Sequence, residues 1–418
     1  VLKSFFKVTA GLCAATFLLV ACGADETQTE AASFDPQDWD SVLQSADGQT
    51  LNWYIWGGSD SINDFIDTTY GPALEEFGIE LNRVPIEDTA DAVTKVINET
   101  EAGKDDGSVD IIWINGENFA TLDKQGLLFD EWARSLPNSS LVDFENPVIT
   151  KDFGRDIGEK ESPWSSTQFQ MIYDTDRLEE TELPRSYKDF QQYACDNPGR
   201  VTYIAPGPGA FQGTRFVKGS LYELADDSSV FGEFDQSVWD EWSPKLWESW
   251  NEVEQCLWQE GNNYPQTEAE LHQLFANNEV DFSITQAIAG AGPLIEDGSI
   301  PETSKAFVFD NWMIADSNYL AIPVNAENKA SAMVLANIIL EPEFQAVQIT
   351  PESGFGLGYV IDLSKVKDEA QLTLLQEASS GLGEAAVDPR DLVASSAPDS
   401  ASEYQDLLEQ GWRSQVLG

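Results

Sequence analysis

The sequence predicts an α/β protein built as two lobes, and three observations carry that expectation. A chain of 418 residues with 42% apolar content is long enough for two core-bearing units and too long for one ordinary domain. Residues 49–129 alternate strand, helix, strand, helix, strand, the order of a helix-covered parallel sheet. Within it, residues 109–114 place Val109, Ile111, Ile112, Trp113 and Ile114 around one acid, Asp110. That near-continuous apolar run is the pattern of a central strand buried on both faces.

A short helix over 39–45 precedes the first strand, 49–56, which ends in the turn Trp56, Gly57, Gly58, Ser59, Asp60. The two glycines let backbone approach whatever sits above the strand. Ser59 and Asp60 are suited to cap the next helix, whose apolar side is Ile62, Phe65, Ile66 and Leu74. After a second strand at 79–84, Asp88 caps a helix through Val93, Val96 and Ile97. The central strand then stops at Asn115, Gly116, Glu117 and Asn118 before another helix. A turn at the C-terminal end of such a strand is where open α/β sheets bind ligands. The same residues also serve as a plain strand-to-helix turn with Asn118 as N-cap.

An alternating strand at 168–174 reads as a crossover into the second lobe, and Ser186 opens a helix that Pro198 and Gly199 end. A strand at 201–204 leads into a Gly-rich stretch, Pro206 to Thr214, that lacks the GxxxxGK[ST] spacing and its lysine. What remains is either a plain loop or a set of backbone N–H groups beside Thr214 and Arg215 that holds an anionic or carbonyl group. Trp239, Trp242, Leu246, Trp250 and Val253 keep helical spacing, which favours core packing over a ligand platform. A helix at 271–275, strands at 280–285, 305–309 and 319–323, and helices from 328 onward follow, with Pro342 at a first-turn position.

Acids outnumber bases 73 to 23 for a net charge of −50, and no basic stripe exists, so nucleic-acid binding is excluded. The acids are scattered and read as a solvating surface. His272 is the only histidine, expected to face solvent from a helix whose apolar side is Leu271, Leu274 and Phe275. A single histidine removes Ser-His and Cys-His nucleophiles and the usual zinc sites, and no pair of carboxylates stands out for glycoside hydrolysis. No catalytic residue, metal site or cofactor is therefore assigned.

At the N-terminus, Lys3 and Lys7 precede an apolar run that closes on Leu19, Val20, Ala21 and Cys22. This resembles the bacterial lipoprotein lipobox. The resemblance implies a signal peptide over 1–21, a lipid on Cys22 and a flexible tether over 22–38. Cys13 leaves with the signal, so Cys195 and Cys256 remain, to be read as a disulfide or as two separate buried thiols.

Taken together, the lipobox, WGGS at 56–59, DIIWINGENFA from 110, SPW before YDTDRL, PRSYKDF with NPGRVTY, and LAIPVNAENKASAMVLANIILEPEFQA resemble the solute-binding lipoproteins of bacterial ABC importers. Within that superfamily the chain is similar to the polyamine, thiamine and ferric-iron binding group. The resemblance implies a periplasmic-binding-protein-like fold of type II, with two α/β lobes, central mixed sheets and a hinge. It implies lobe 1 over 39–164, lobe 2 over 165–284 and a return to lobe 1 with C-terminal helices over 285–418, Asp281 to Thr285 marking the return crossing. A cleft would take Trp56, Gly57, Gly58, Ser59, Asp60, Asn115, Gly116, Glu117 and Asn118 from lobe 1 and Trp164 from the crossing. Lobe 2 would add Gly209, Gly213, Thr214 and Arg215, and the return Thr285, Gln286 and Asn318. Before LAIP the sequence departs from the polyamine pattern, with Asp316 and Asn318 standing where that group brings a tryptophan and an aspartate.

The expected function is capture of a small polar solute, cationic or zwitterionic and thiamine-like, by hinge closure, for delivery to an ABC permease. The protein would act as a non-catalytic monomer, lipid-anchored in the periplasm or at the cell surface. Within the same fold the alternative is an oxyanion or sugar receptor. Outside it, the alternative is an extracellular polysaccharide-acting enzyme.

Overall fold

The computed structural model describes residues 34–207, 210–350 and 356–417, so the expectations for the signal peptide, for Cys22 and for Gly209 lie outside the described residues. Eleven strands occur among the described residues: β1 (Thr50–Trp56), β2 (Glu80–Ile86), β3 (Ile111–Ile114), β4 (Lys151–Asp152), β5 (Arg155–Asp156), β6 (Glu161–Gln168), β7 (Gln170–Asp174), β8 (Ser283–Thr285), β9 (Ser304–Phe307), β10 (Met313–Ala321) and β11 (Ser396–Pro398).

The first lobe is a mixed sheet in the order β11-β10-β3-β1-β2, with β6 added on β10. β1 runs parallel to β2 and β3, while β10 runs antiparallel to β3 and β6. β3 is central, as its apolar run predicts. Ile111 enters one core with Leu51, Trp53 and Ile55, whereas Ile112 and Ile114 enter another with Val93, Val96 and Phe119. Helices cover both faces, so no position on β3 needs a polar side chain facing water. Asp88 caps the helix Thr89–Glu101 by accepting the Ala90 N–H.

β6 passes into β7 with only Phe169 between them, and β7 starts a second, antiparallel sheet in the order β8-β7-β9. β8, expected at the return crossing, pairs with β7 here. The chain re-enters the first sheet at β10, because β9 must first complete the second sheet. The C-terminal portion divides: the helix Lys329–Ile339 is buried in the first lobe, while Tyr404, Leu408 and Trp412 of the helix Ser402–Gln415 join the second-lobe core. Trp239, Trp247 and Trp250 of the helix Gln236–Val253 lie in that same core, so the tryptophans pack as expected. Residues 201–206 are buried but form no ladder strand. Pro206 has no N–H to donate, and the Ala205 N–H goes to the Pro265 carbonyl.

Cys195, on the helix Tyr187–Asp196, is bonded to Cys256, 61 residues on. Closing so long a loop restricts the unfolded chain, and the Cys195→Ser, Cys256→Ser double variant is expected to lose about 2–4 kcal/mol in urea unfolding.

His272 does not face solvent. The helix Glu268–Ala276 lies against β8, which buries His272 beside Leu271 and Phe275 and brings its Nδ1 within 2.7 Å of Ser283 Oγ. Burial pushes the imidazole pKa down to about 4. The folded-state value is depressed, so its contribution is present above the unfolded value near 6.5 and is lost as pH falls through 4. A shift of this size corresponds to about 3 kcal/mol. Unfolding of His272→Gln followed between pH 7 and 4 is expected to show a flatter loss of stability than the parent.

Candidate binding cleft

The three turns that sequence reasoning singled out sit at different depths. Trp56 ends β1 with 41% of its surface exposed. A Cβ on Gly58 would lie 2.2 Å from the Trp56 ring, and one on Gly57 would lie 2.6 Å from Pro85 Cβ. The two glycines thus let the turn fold under the indole and leave its other side open to water. Ser59 caps the helix Asp60–Phe65 by accepting the Ile62 N–H, Asn63 Nδ2 donates to the Gly57 carbonyl, and Asp60 is exposed.

After β3, Asn115 Nδ2 donates to the Ser317 carbonyl on β10 at 2.8 Å. Gly116, at φ 62°, is the N-cap of the helix Glu117–Lys124, the place sequence reasoning had offered to Asn118. The Gly116 N–H donates to both carboxylate oxygens of Asp152, at 2.9 and 2.8 Å. Asn115 and Gly116 are thereby committed to holding the turn, and Glu117 is the exposed charge.

Trp164 was expected in the cleft and is fully buried. The register between β6 and β10 slips between Asn318 and Tyr319, so that Ser165 pairs with Asn318 and Pro163 with Tyr319, and Trp164 falls at the slip. An extra residue of this kind shifts which face a side chain takes. Trp164 packs edge-on against Trp53 at 5.7 Å and Trp113 at 5.1 Å. Trp113, which the sequence reading left out of the site, is the half-buried indole of this ladder, and its Nε1 donates to Asn318 Oδ1 at 3.2 Å. Asn318 Nδ2 in turn donates to Ser165 Oγ at 2.9 Å.

From Asn318 the polar groups continue toward the second lobe. Asp316, also on β10, accepts from Thr167 of β6 and from Arg215 of the helix Phe211–Ala225. Arg215 also donates to Gln286 Oε1, and Gln286 Nε2 reaches Glu268 Oε1 at 3.5 Å. Behind them Lys218 pairs with Asp399, which lies 3.6 Å from Arg215 Nε. Burial raises the Asp316 pKa and Asp399 adds to that, with Arg215 opposing. At Asp399 burial also works to raise the value, but Lys218, Arg215 and the Ser400 N–H outweigh it and hold the carboxyl below its ordinary range. Glu268 is raised by burial, against the pull of Gln286, Gln212 and Arg215. Glu268 and Gln212 line a cavity of about 710 Å³ that also takes in Thr267, His272 and Leu294.

Arg215 and Gln286 are therefore brought into one network with Gln212, joined by Thr167, Asp316 and Glu268, which sequence reasoning did not place in the site, while Asn318, two residues along β10 from Asp316, bonds to Trp113 and Ser165 instead. Thr285, Thr214 and Gly213 are not brought in. Thr285 is buried and accepts the Ala287 N–H, Thr214 donates to Glu409, and a Cβ on Gly213 would lie 2.2 Å from the Ile204 carbonyl.

The pattern of the bacterial extracellular solute-binding protein family matches residues 68–373. The chain belongs to this family. Protein YnjB of Escherichia coli (strain K12) is 33% identical over 377 residues, 90% of this chain and 93% of that one. Among solved structures, an ABC transporter protein from Clostridium perfringens superposes with a TM-score of 0.62 at 13% identity, covering 88% of this chain and 99% of that one. The spermidine/putrescine ABC transporter substrate-binding protein PotD from Streptococcus pneumoniae does so with a TM-score of 0.56 at 15% identity, covering 88% and 98%. Structural likenesses at such identities establish the two-lobed fold alone.

By this membership it is an extracellular solute-binding protein. Proteins of this family bind solutes. Among the described residues no helix is long and apolar enough to cross a membrane.

Proposed function

We propose that this solute-binding protein captures a small cationic or zwitterionic solute, with thiamine-like compounds in that class, by closure of its lobes about β6 and β10, and hands it to the permease while anchored through Cys22. The observation that carries the reading is the charge arrangement around Glu268. The two cations nearest this part of the site, Arg215 and Lys218, are already matched by Asp316 and Asp399, while Glu268 lines the cavity with only amide partners at hydrogen-bonding distance. A cationic group entering there meets a half-buried carboxylate without a matching cation. An anion meets three carboxylates and two cations already paired, at short range and low dielectric. The open side of the Trp56 indole offers a π-face of the kind that cations favour.

The oxyanion alternative draws less support, because Gly213 and Thr214 are turned into the core and Arg215 is neutralised. Calorimetry of the purified protein with thiamine, its phosphates and aliphatic amines, set against sulfate, phosphate and neutral sugars, tests the reading. Heat from the cationic compounds is expected. Heat from the oxyanions or sugars, with none from any amine, overturns it.

A further inference from the structure

The short hairpin of β4 and β5 has no part in either large sheet, yet it touches both lobes. Its two central residues both have positive φ, Phe153 at 44° and Gly154 at 76°. This is the backbone of a tight two-residue hairpin turn, in which asparagine or glycine is the usual first residue. A phenylalanine there is strained, and such strain persists only where the surroundings hold it.

What holds it lies on both sides. From the first lobe, Asp152 is buried and takes the Gly116 N–H on both oxygens, Arg155 pairs with Asp123 of the helix Glu117–Lys124, and Tyr319 Oη donates to the Lys151 carbonyl at 3.3 Å. The Phe153 ring closes over Gly116, where a Cβ would lie 3.4 Å from it, and its other neighbour is Lys218 of the second lobe, with Nζ 5.8 Å from the ring centroid. Gly154 then seats the tip on second-lobe backbone. A Cβ at Gly154 would lie 2.2 Å from the Gly232 carbonyl oxygen and 2.7 Å from the Ala401 nitrogen. Beside this contact a cavity of about 280 Å³, lined by Lys124, Arg155, Phe234 and Glu403 among others, leaves the hairpin room to rock.

We propose that the hairpin Lys151–Asp156 is a latch between the lobes. Asp152 is its positioning residue, shaping the turn at Asn115–Asn118 on the rim of the cleft, and Gly154 is its seat on the second lobe. Because one rigid turn makes both contacts, the seated tip and the ordered Gly116 amide form together and are lost together when the lobes separate. The hairpin thus reports lobe position to the turn and biases the ligand-free protein toward the arrangement in which its tip is seated on the second lobe. This holds whichever solute the cleft takes, so its failure would leave the cationic reading untouched.

The test pairs Gly154→Ala with Gly158→Ala in the mature protein. Both glycines have positive φ, and so carry a similar backbone penalty, but a Cβ at Gly158 meets nothing within 4 Å. Interlobe distance is read by spin-label pairs on Val324→Cys and Leu224→Cys, and the Gly116 amide by hydrogen exchange, both without ligand. Gly154→Ala is expected to lengthen the interlobe distance and to speed Gly116 exchange about tenfold, the loss of one hydrogen bond. Gly158→Ala is expected to change neither. Asp152→Ala, which frees the turn without adding bulk at the tip, is expected to broaden the distance distribution. It carries the test by itself if Gly154→Ala does not fold. Unchanged distance and exchange in Gly154→Ala, equal changes in both glycine variants, or an unaltered distance distribution in Asp152→Ala overturns the latch.

Discussion

Replacing Arg215 with methionine is expected to lower stability by about 3–5 kcal/mol at neutral pH, the usual cost of removing one partner from a buried charge pair. The methionine keeps much of the side-chain volume, so the loss isolates charge. Asp316 and Arg215 have side chains 13% and 9% exposed, and Asp399 behind them only 1%. Asp399 retains Lys218, but Asp316 keeps only Thr167. Already raised by burial, the Asp316 pKa would climb further in the variant. A carboxyl whose folded-state pKa is raised stabilises the fold below its unfolded value and loses that contribution as pH rises through the folded value. The defect is therefore expected to be small near pH 4 and full above neutrality, as measured by urea unfolding at both ends. An equal defect at all pH values would mean that Arg215 acts through packing.

The second large effect is on binding. Glu268→Gln keeps the side-chain shape and its amide partners while removing the charge, and is expected to weaken a cationic solute about 10- to 100-fold. Stability should change little, because Glu268 is only partly buried and, among the described residues, it forms no ion pair, Arg215 acting on it only through space. Binding should also depend on acidity. The carboxylate grips a cation only when ionised, so affinity is full above the Glu268 pKa and falls by up to about tenfold per pH unit below it. Since burial raises that pKa, the decline begins at higher pH than for an exposed glutamate, and it should be absent in Glu268→Gln. Titration calorimetry of parent and variant across pH 4 to 8 reads both effects.

Several elements were legible because their signals are local. Asp88 caps its helix, the apolar run at 109–114 lies at the centre of its sheet, and Ser186 opens its helix as turn chemistry requires. The site was legible only where a turn follows a strand in sequence. Trp164 was misplaced because the register slip opposite Asn318 is a property of two strands about 150 residues apart. Glu268 was missed because it arrives on a helix whose own pattern carries no ligand signal and gains meaning only beside Gln286 and Arg215. His272 was misread for a related reason: beside two apolar neighbours its orientation depends on Ser283, which only the packing of β8 against the helix supplies. The latch hairpin was invisible for the same cause, since Phe-Gly lacks the asparagine that marks such turns.

Native mass spectrometry of the full mature protein purified without refolding, with release and identification of the solute it carries, tests the central claim most directly. The expected result is a bound small molecule bearing an amine, quaternary ammonium or thiazolium-like positive charge, released on acidification below the Glu268 pKa and depleted in Glu268→Gln. A bound oxyanion or uncharged sugar, retained equally by Glu268→Gln, would contradict it.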